Sequence, residues 1–301
     1  MSVCCRSKAL AVLGAGLLSF QLMAGELPLP PELESSPYPN VPVTELASAT
    51  GLVSLYHQIN YQLSDVESSS ELPAIYVENL PKDLNALPTD EKSQTFIRLL
   101  LPTIVAVNNE ILAARKTLIG IIDKSQDQWT EDEKAWMAKM VKDYGVKANN
   151  YDELLLQVDV IPVGMALAQA IDESGWGTSH FAVAGNNLYG EHLPSGGGKF
   201  LTTPGGHVKV AAFDSLFEGT ASYIHNVNRT KAYRQLWLLR KKLRAKHELT
   251  GYELVGGLIH YSTRGQAYVD NLRALIKHHN LDSFDNAKVE DSSPEVIRFG
   301  R

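Results

Sequence analysis

The chain predicts an α+β fold that is mainly α-helical, with one small β-hairpin lobe. Three observations carry this expectation. Stretches between residues 90 and 122 and between 163 and 174 place apolar residues at helical spacing. Between 195 and 213 the pattern changes to glycine-rich turns around short alternating segments. The composition, 44% hydrophobic and 21% charged over 301 residues, suits one substantial core plus appendages.

At the N-terminus, Arg6 and Lys8 give a positive start, Ala9 to Phe20 an apolar run, and Ala24 or Gly25 a small residue for cleavage. Residues 1–24 are therefore expected to be an export signal, with the mature chain starting near Gly25 in the periplasm or outside the cell. The apolar run is too short for a convincing span, so membrane contact is expected at most through an uncleaved signal. Both cysteines, Cys4 and Cys5, fall in this segment. The mature chain is expected to have neither a disulfide nor a thiolate nucleophile.

Residues 25–80 read as a Pro/Ser-rich linker and N-terminal segment. Pro28, Pro30, Pro31, Pro37, Pro39 and Pro42 make 26–45 a stiff, extended linker rather than a core element. Leu46 to Leu63 allows a short amphipathic helix, and the Ser/Glu-rich run 64–73 reads as loop. Residues 81–145 form a helical subdomain. Its long helix runs from about Asp90 to Ile122, buried through Leu99, Leu100, Ile104, Val107, Ile111 and Leu118, with Pro102 expected to kink or break it. Thr130-Glu131-Asp132-Glu133 is a capping box for a helix that stops at Gly145. The next domain spans 146–284, and 285–301 reads as a C-terminal tail.

Within 146–284, Tyr151 to Val158 suits a short helix, and Pro162 suits the first turn of a longer one, with Asp159 as an upstream cap. Val163, Ala166, Leu167, Ala170, Ile171 and Ser174 share its buried face. Glu173, two turns after Ala166, runs along the edge of that face. Gly175 and Gly177 end the helix and turn the backbone back. A carboxyl half sunk in apolar surroundings beside Trp176 should keep its proton to higher pH, which is what a glycosidase general acid needs.

The run Ala166-Leu167-Ala168-Gln169-Ala170-Ile171-Asp172-Glu173-Ser174-Gly175-Trp176-Gly177, followed by Asn186-Asn187-Leu188-Tyr189-Gly190, resembles the glucosaminidase domains of glycoside hydrolase family 73. Those domains cut bacterial peptidoglycan glycan strands on a lysozyme-like fold. Upstream, Glu91-Lys92, Phe96 to Pro102, Asn108, Asn109 and Arg115 are similar to the bacterial Bax-like proteins, which carry such a domain behind a helix. The two resemblances together cover most of residues 73–282. They imply a lysozyme-like catalytic domain with Glu173 as general acid.

They also imply roles for other residues. His260-Tyr261-Ser262-Thr263-Arg264-Gly265-Gln266-Ala267-Tyr268 is similar to the family's Tyr-Ala/Ser-Thr…Tyr segment, whose first Tyr lines the cleft. Tyr261 is thereby a catalytic candidate and Tyr268 a substrate-binding one, although Arg264-Gly265 stand where Asp-Pro is often found. Trp176, Asn186, Asn187 and Tyr189 are further substrate-binding candidates. Some family members carry a glutamate in the hairpin, but residues 199–213 contain no acid. Glu191, entering the lobe, is the remaining candidate for the second carboxylate. Asp214, Glu218 and Glu253 belong to capping boxes, and His225 and His260 read as lone histidines.

The net charge of −6 offers no basic excess for nucleic acid. No spacing of His, Cys and acids suggests a metal, and no cofactor is implied. The expectation is a monomeric, exported endo-β-N-acetylglucosaminidase acting on peptidoglycan glycan strands. A lytic transglycosylase or muramidase on the same fold, or an inactive glycan-binding module, stands as the alternative.

Overall fold

The computed structural model describes residues 27–33, 41–193, 197–203, 205–206 and 208–300. The expected export signal lies outside them. In chain order the elements are β1 (Val43–Leu46), α1 (Ala49–Gln58), α2 (Leu63–Ser69), β2 (Glu71–Leu72), β3 (Ile75–Val77), α3 (Thr89–Ile122), α4 (Glu131–Asp143), α5 (Tyr151–Gln157) and α6 (Val163–Ser174). There follow α7 (His180–Gly185), β4 (Phe200–Thr202), β5 (Lys209–Ala211), α8 (Leu216–Arg229), α9 (Arg234–Ala245), α10 (Gly251–Leu254), α11 (Gln266–His278), β6 (Lys288–Val289) and β7 (Glu295–Phe299).

Helix α3 is the axis of the molecule. Every residue from Thr95 to Asn108 is buried, so the apolar pattern wraps all round the helix instead of forming one stripe. It is long and apolar enough to cross a membrane, but 78% of its most apolar window is buried inside the protein. Pro102 does not break it. Proline removes the hydrogen bond that the Arg98 carbonyl would accept. The Tyr61 hydroxyl donates to that carbonyl instead, at 3.1 Å. Arg98 in turn pairs with Glu91 at 2.6 Å and lies 5.0 Å over the Tyr56 ring.

Two expectations for the chain ends are corrected. The Pro-rich stretch is not a free linker where it is described. Pro30 and Pro31 are buried, Leu27 and Leu29 pack on a cluster around Trp129, Trp136 and Met140, and Trp136 Nε1 donates to the Pro28 carbonyl at 2.9 Å. The tail 285–301 carries β7, the centre of a parallel sheet in the order β1-β7-β3. Val43 pairs with Val296, and Ile75 with Glu295. Asn79 extends the ladder, its side-chain amide exchanging two hydrogen bonds with Phe299 at 2.9 and 3.0 Å. Val296, Ile297 and Phe299 are buried, which ties this segment down. The Ser/Glu-rich run, expected as loop, forms α2 and then β2, which pairs with β6.

Of the capping boxes read from the sequence, that of α4 forms in full, while at α8 and α10 only the N-cap side chains bond, with Glu218 accepting from Asp214 N instead of Ser215 N. Thr130 and Glu133 bond reciprocally at the start of α4, and Ser215 caps α8 through Glu218 N at 3.0 Å. Asp159, however, does not cap α6. It is buried among arginines, 2.5 Å from Arg244 and 3.6 Å from Arg240. The cap comes from the far end of the chain: Asp285 accepts from Gly164 N at 2.8 Å and from Gly251 N at 2.9 Å.

Candidate active site

Helix α6 is buried along almost its whole length and ends at Gly175, with φ +57°. Trp176 and Gly177 continue the left-handed turn, with φ +61° and +71°. Gly177 is required for space as well as conformation. A Cβ there would lie 2.7 Å from the Phe96 ring of α3. The turn leaves Glu173 at the helix edge, its side chain 25% exposed. Burial raises its carboxyl above the usual range, and the negative Asp172 adds to this. A hydrogen bond from Tyr268 and the charge of Arg264 pull the other way.

Tyr268 has a fixed direction in that bond. The Tyr223 hydroxyl donates to Gln169 Oε1, and Gln169 Nε2 donates to the Tyr268 oxygen at 3.0 Å. That leaves the Tyr268 proton for Glu173. Gln169 sits one turn before Glu173 and is fully buried. The sequence reading did not single it out. The available signal was an amide on an otherwise apolar buried face, which must find partners inside.

The opposite wall is the turn after α7. Asn186 adopts φ +51° and donates through Nδ2 to the Phe213 carbonyl at 3.0 Å. Asn187 accepts from Glu191 N at 3.0 Å and donates to the carbonyls of Glu191 and Ala211 at 2.8 and 2.9 Å. These bonds fasten the β4–β5 hairpin, in which Phe200 pairs with Ala211, to the helical body. Tyr189 stacks on Tyr223, centroids 3.8 Å apart. Gly190 closes the turn, and a Cβ there would sit 3.5 Å from Glu173 Oε2.

These positions correct the substrate-binding list. Asn186, Asn187, Tyr189 and Tyr268 are each at most 3% exposed. Their polar groups build the wall and hold Glu173, so their side chains offer little surface to a ligand. Trp176 is half-buried and packs edge-on against Phe96, at 6.0 Å, and His279, at 4.8 Å. It acts as a wedge between α3 and the end of α11.

Tyr261 lies beside Tyr268 and Tyr189. It is partly exposed, its ring lies parallel to Tyr268 at 5.5 Å, and its hydroxyl donates to the Tyr189 carbonyl at 3.1 Å. It therefore bridges the two walls. Burial, followed by the charges of Glu173, Tyr233 and Glu191, raises its pKa, so it stays a neutral phenol.

Glu191 follows Gly190 but faces α8. Its Oε2 is sealed from solvent, and burial pushes its carboxyl up to about 7 against the opposing pull of Ser222, His225 and Asn226. His225 is not the lone histidine expected. Its Nδ1 lies 2.7 Å from Glu32 and its Nε2 3.6 Å from Asp143. These three are the one His/acid group among the described residues whose ligand atoms converge, within 4.8 Å. The two carboxyl groups face opposite ring nitrogens, so this contact brings Pro31–Leu33, α4 and α8 together.

A half-buried carboxyl with a raised pKa at a helix edge, a neutral tyrosine across from it and a hairpin lobe beside them fit one class, which the family match bears out: a glycoside hydrolase with an α+β, lysozyme-like domain. Residues 148–281 match the Glucosaminidase family, described as mannosyl-glycoprotein endo-beta-N-acetylglucosaminidase. The chain belongs to the Bax family of glucosaminidase-domain proteins. It is 33% identical to Protein bax of Escherichia coli over 201 residues, covering 64% of this chain and 72% of that protein. Among solved structures, the catalytic domain of the autolysin Auto from Listeria monocytogenes matches 66% of this chain and 89% of its own, at 17% identity and a TM-score of 0.37.

Proposed function

We propose that this chain is an exported peptidoglycan hydrolase that cleaves the N-acetylglucosaminyl bond of the glycan strand. The observation that carries the reading is Glu173, half-buried, raised in pKa and held by a one-way hydrogen bond from Tyr268. Glu173 passes its proton to the glycosidic oxygen as the bond to the anomeric carbon breaks. The oxocarbenium-like centre is then captured and the proton is returned. Tyr261, whose proton is directed at Tyr189, offers its lone pairs to a sugar hydroxyl or the attacking water. Export rests on the charged, apolar and small-residue pattern of residues 1–24.

The second half of the reaction has two candidates. One is water activated by Glu191. The other is a group of the substrate: its acetamido oxygen in hydrolysis, or a sugar hydroxyl in lytic cleavage. The packing of Glu191 against α8 favours the second. Digestion of purified peptidoglycan, borohydride reduction and mass spectrometry tests the assignment. Reduced N-acetylglucosamine ends are expected. Reduced muramic acid would make it a muramidase, and 1,6-anhydro-muramic acid a lytic transglycosylase. No product would leave a glycan-binding module.

A further inference from the structure

Arg264 lies at the exposed rim of the site, beside Gly265, whose φ of +54° and ψ of −122° suit glycine. Its Nη2 contacts Asp172 Oδ2 and lies 4.0 Å from Glu173 Oε1. Nη1 approaches Asp172 Oδ1 at 3.5 Å, and Asn271 Nδ2 donates to the same oxygen at 2.6 Å. The guanidinium carbon sits 4.5 Å over the Tyr268 ring. Asp172 is thus an anchored, mostly buried anion, 13% exposed, while Arg264 is 46% exposed on a flexible stem.

We propose that Asp172 is a positioning residue that holds Arg264 beyond hydrogen-bonding distance of Glu173, keeping the general acid out of a close, hydrogen-bonded ion pair. This rests on the reading of Glu173 as that acid. The two carboxylates are adjacent and compete for one cation. Without the Asp172 charge, the strongest partner left within reach of Arg264 is Glu173. A guanidinium–carboxylate pair favours the ionised carboxylate, and an ionised Glu173 has no proton to give. The groups facing Glu173 are Asp172 on α6, Arg264 before α11, Tyr268 on α11 and Tyr261 in the preceding turn. Arg264 is the one cation among them, so its placement decides the balance.

The test is the pH profile of kcat/KM on purified peptidoglycan for the wild type, Asp172→Asn, Arg264→Gln and the double variant, with Glu173→Gln as control. Asp172→Asn is expected to move the alkaline limb to lower pH and to cut turnover above neutral pH about tenfold or more. Arg264→Gln moves that limb to higher pH in both backgrounds, and by more in Asp172→Asn, where it reverses the loss; equal shifts in the two backgrounds would leave only the direct charge of Asp172 on Glu173 and overturn the proposal. A structural role for Asp172 would lower the melting temperature without this reversal. Overturning results are an unmoved limb in Asp172→Asn, or a loss that Arg264→Gln does not relieve. If Asp172→Asn does not fold, Arg264→Gln decides alone, and an unmoved limb overturns the proposal. An active Glu173→Gln would instead overturn the assignment of the acid, so the two failures are distinguishable.

Discussion

Glu173 and Glu191 stand on either side of Gly190, and the difference between them shows how one fold separates two carboxyls. Glu173 ends a buried helix with its oxygens toward the opening, and burial, Asp172, Tyr268 and Arg264 act on it in opposed directions. Glu191 is turned away into α8, and desolvation dominates it. Each keeps its proton to higher pH than a free carboxyl, and it is Glu173, the more open of the two, that the proposed function makes the acid. A raised pKa marks both residues, and only geometry tells them apart.

The comparison breaks most directly by removing each proton in turn. Glu173→Gln is expected to cost about 10²–10⁴ in turnover on peptidoglycan. Glu191→Gln should lose markedly less. Equal losses would make Glu191 a second catalytic group and favour activated water over capture by the substrate.

Tyr268→Phe removes the donor to Glu173 and leaves buried Gln169 Nε2 without an acceptor. The alkaline limb of kcat/KM should move to higher pH, because the bond favours the carboxylate. Stability should fall by about 1–3 kcal/mol, the cost of an unsatisfied buried group, measured by urea unfolding. A limb that stays in place would mean that Tyr268 serves packing alone.

Tyr261→Phe should reduce turnover less than Glu173→Gln does. The lost bond to the Tyr189 carbonyl should lower stability by only about 0.5–1.5 kcal/mol. Wild-type turnover in this variant would make Tyr261 a wall residue like Tyr189.

The smallest effect concerns stability against pH. Burial raises Glu191 and Asp285 to about 7, so the folded state binds more protons than the unfolded one between their ordinary range and about 7. Each contribution therefore falls as pH rises through that window. Glu191→Gln and Asp285→Asn should each flatten the decline in urea midpoint between pH 5 and 7.5. An unchanged slope in both would mean that neither carboxyl is desolvated as the geometry implies.

What could be read along the chain was local. Helix α6, its glycine stop, the capping box of α4 and the serine cap of α8, the hairpin and the edge position of Glu173 all follow from interactions within a few residues of one another, where spacing maps directly onto a face. The tertiary structure decided what spacing cannot encode. Pro102 stays within a helix because Tyr61, 37 residues from Arg98, satisfies the freed carbonyl. Asp285 caps α6 from 121 residues away, a role the nearer Asp159 could not take among Arg240 and Arg244. The asparagines and tyrosines of the family motif became walls, and Gln169 became a link in the hydrogen-bond path to Glu173. Buried polar groups must be paired, and the partner is whichever group the folded chain brings near, at any sequence distance.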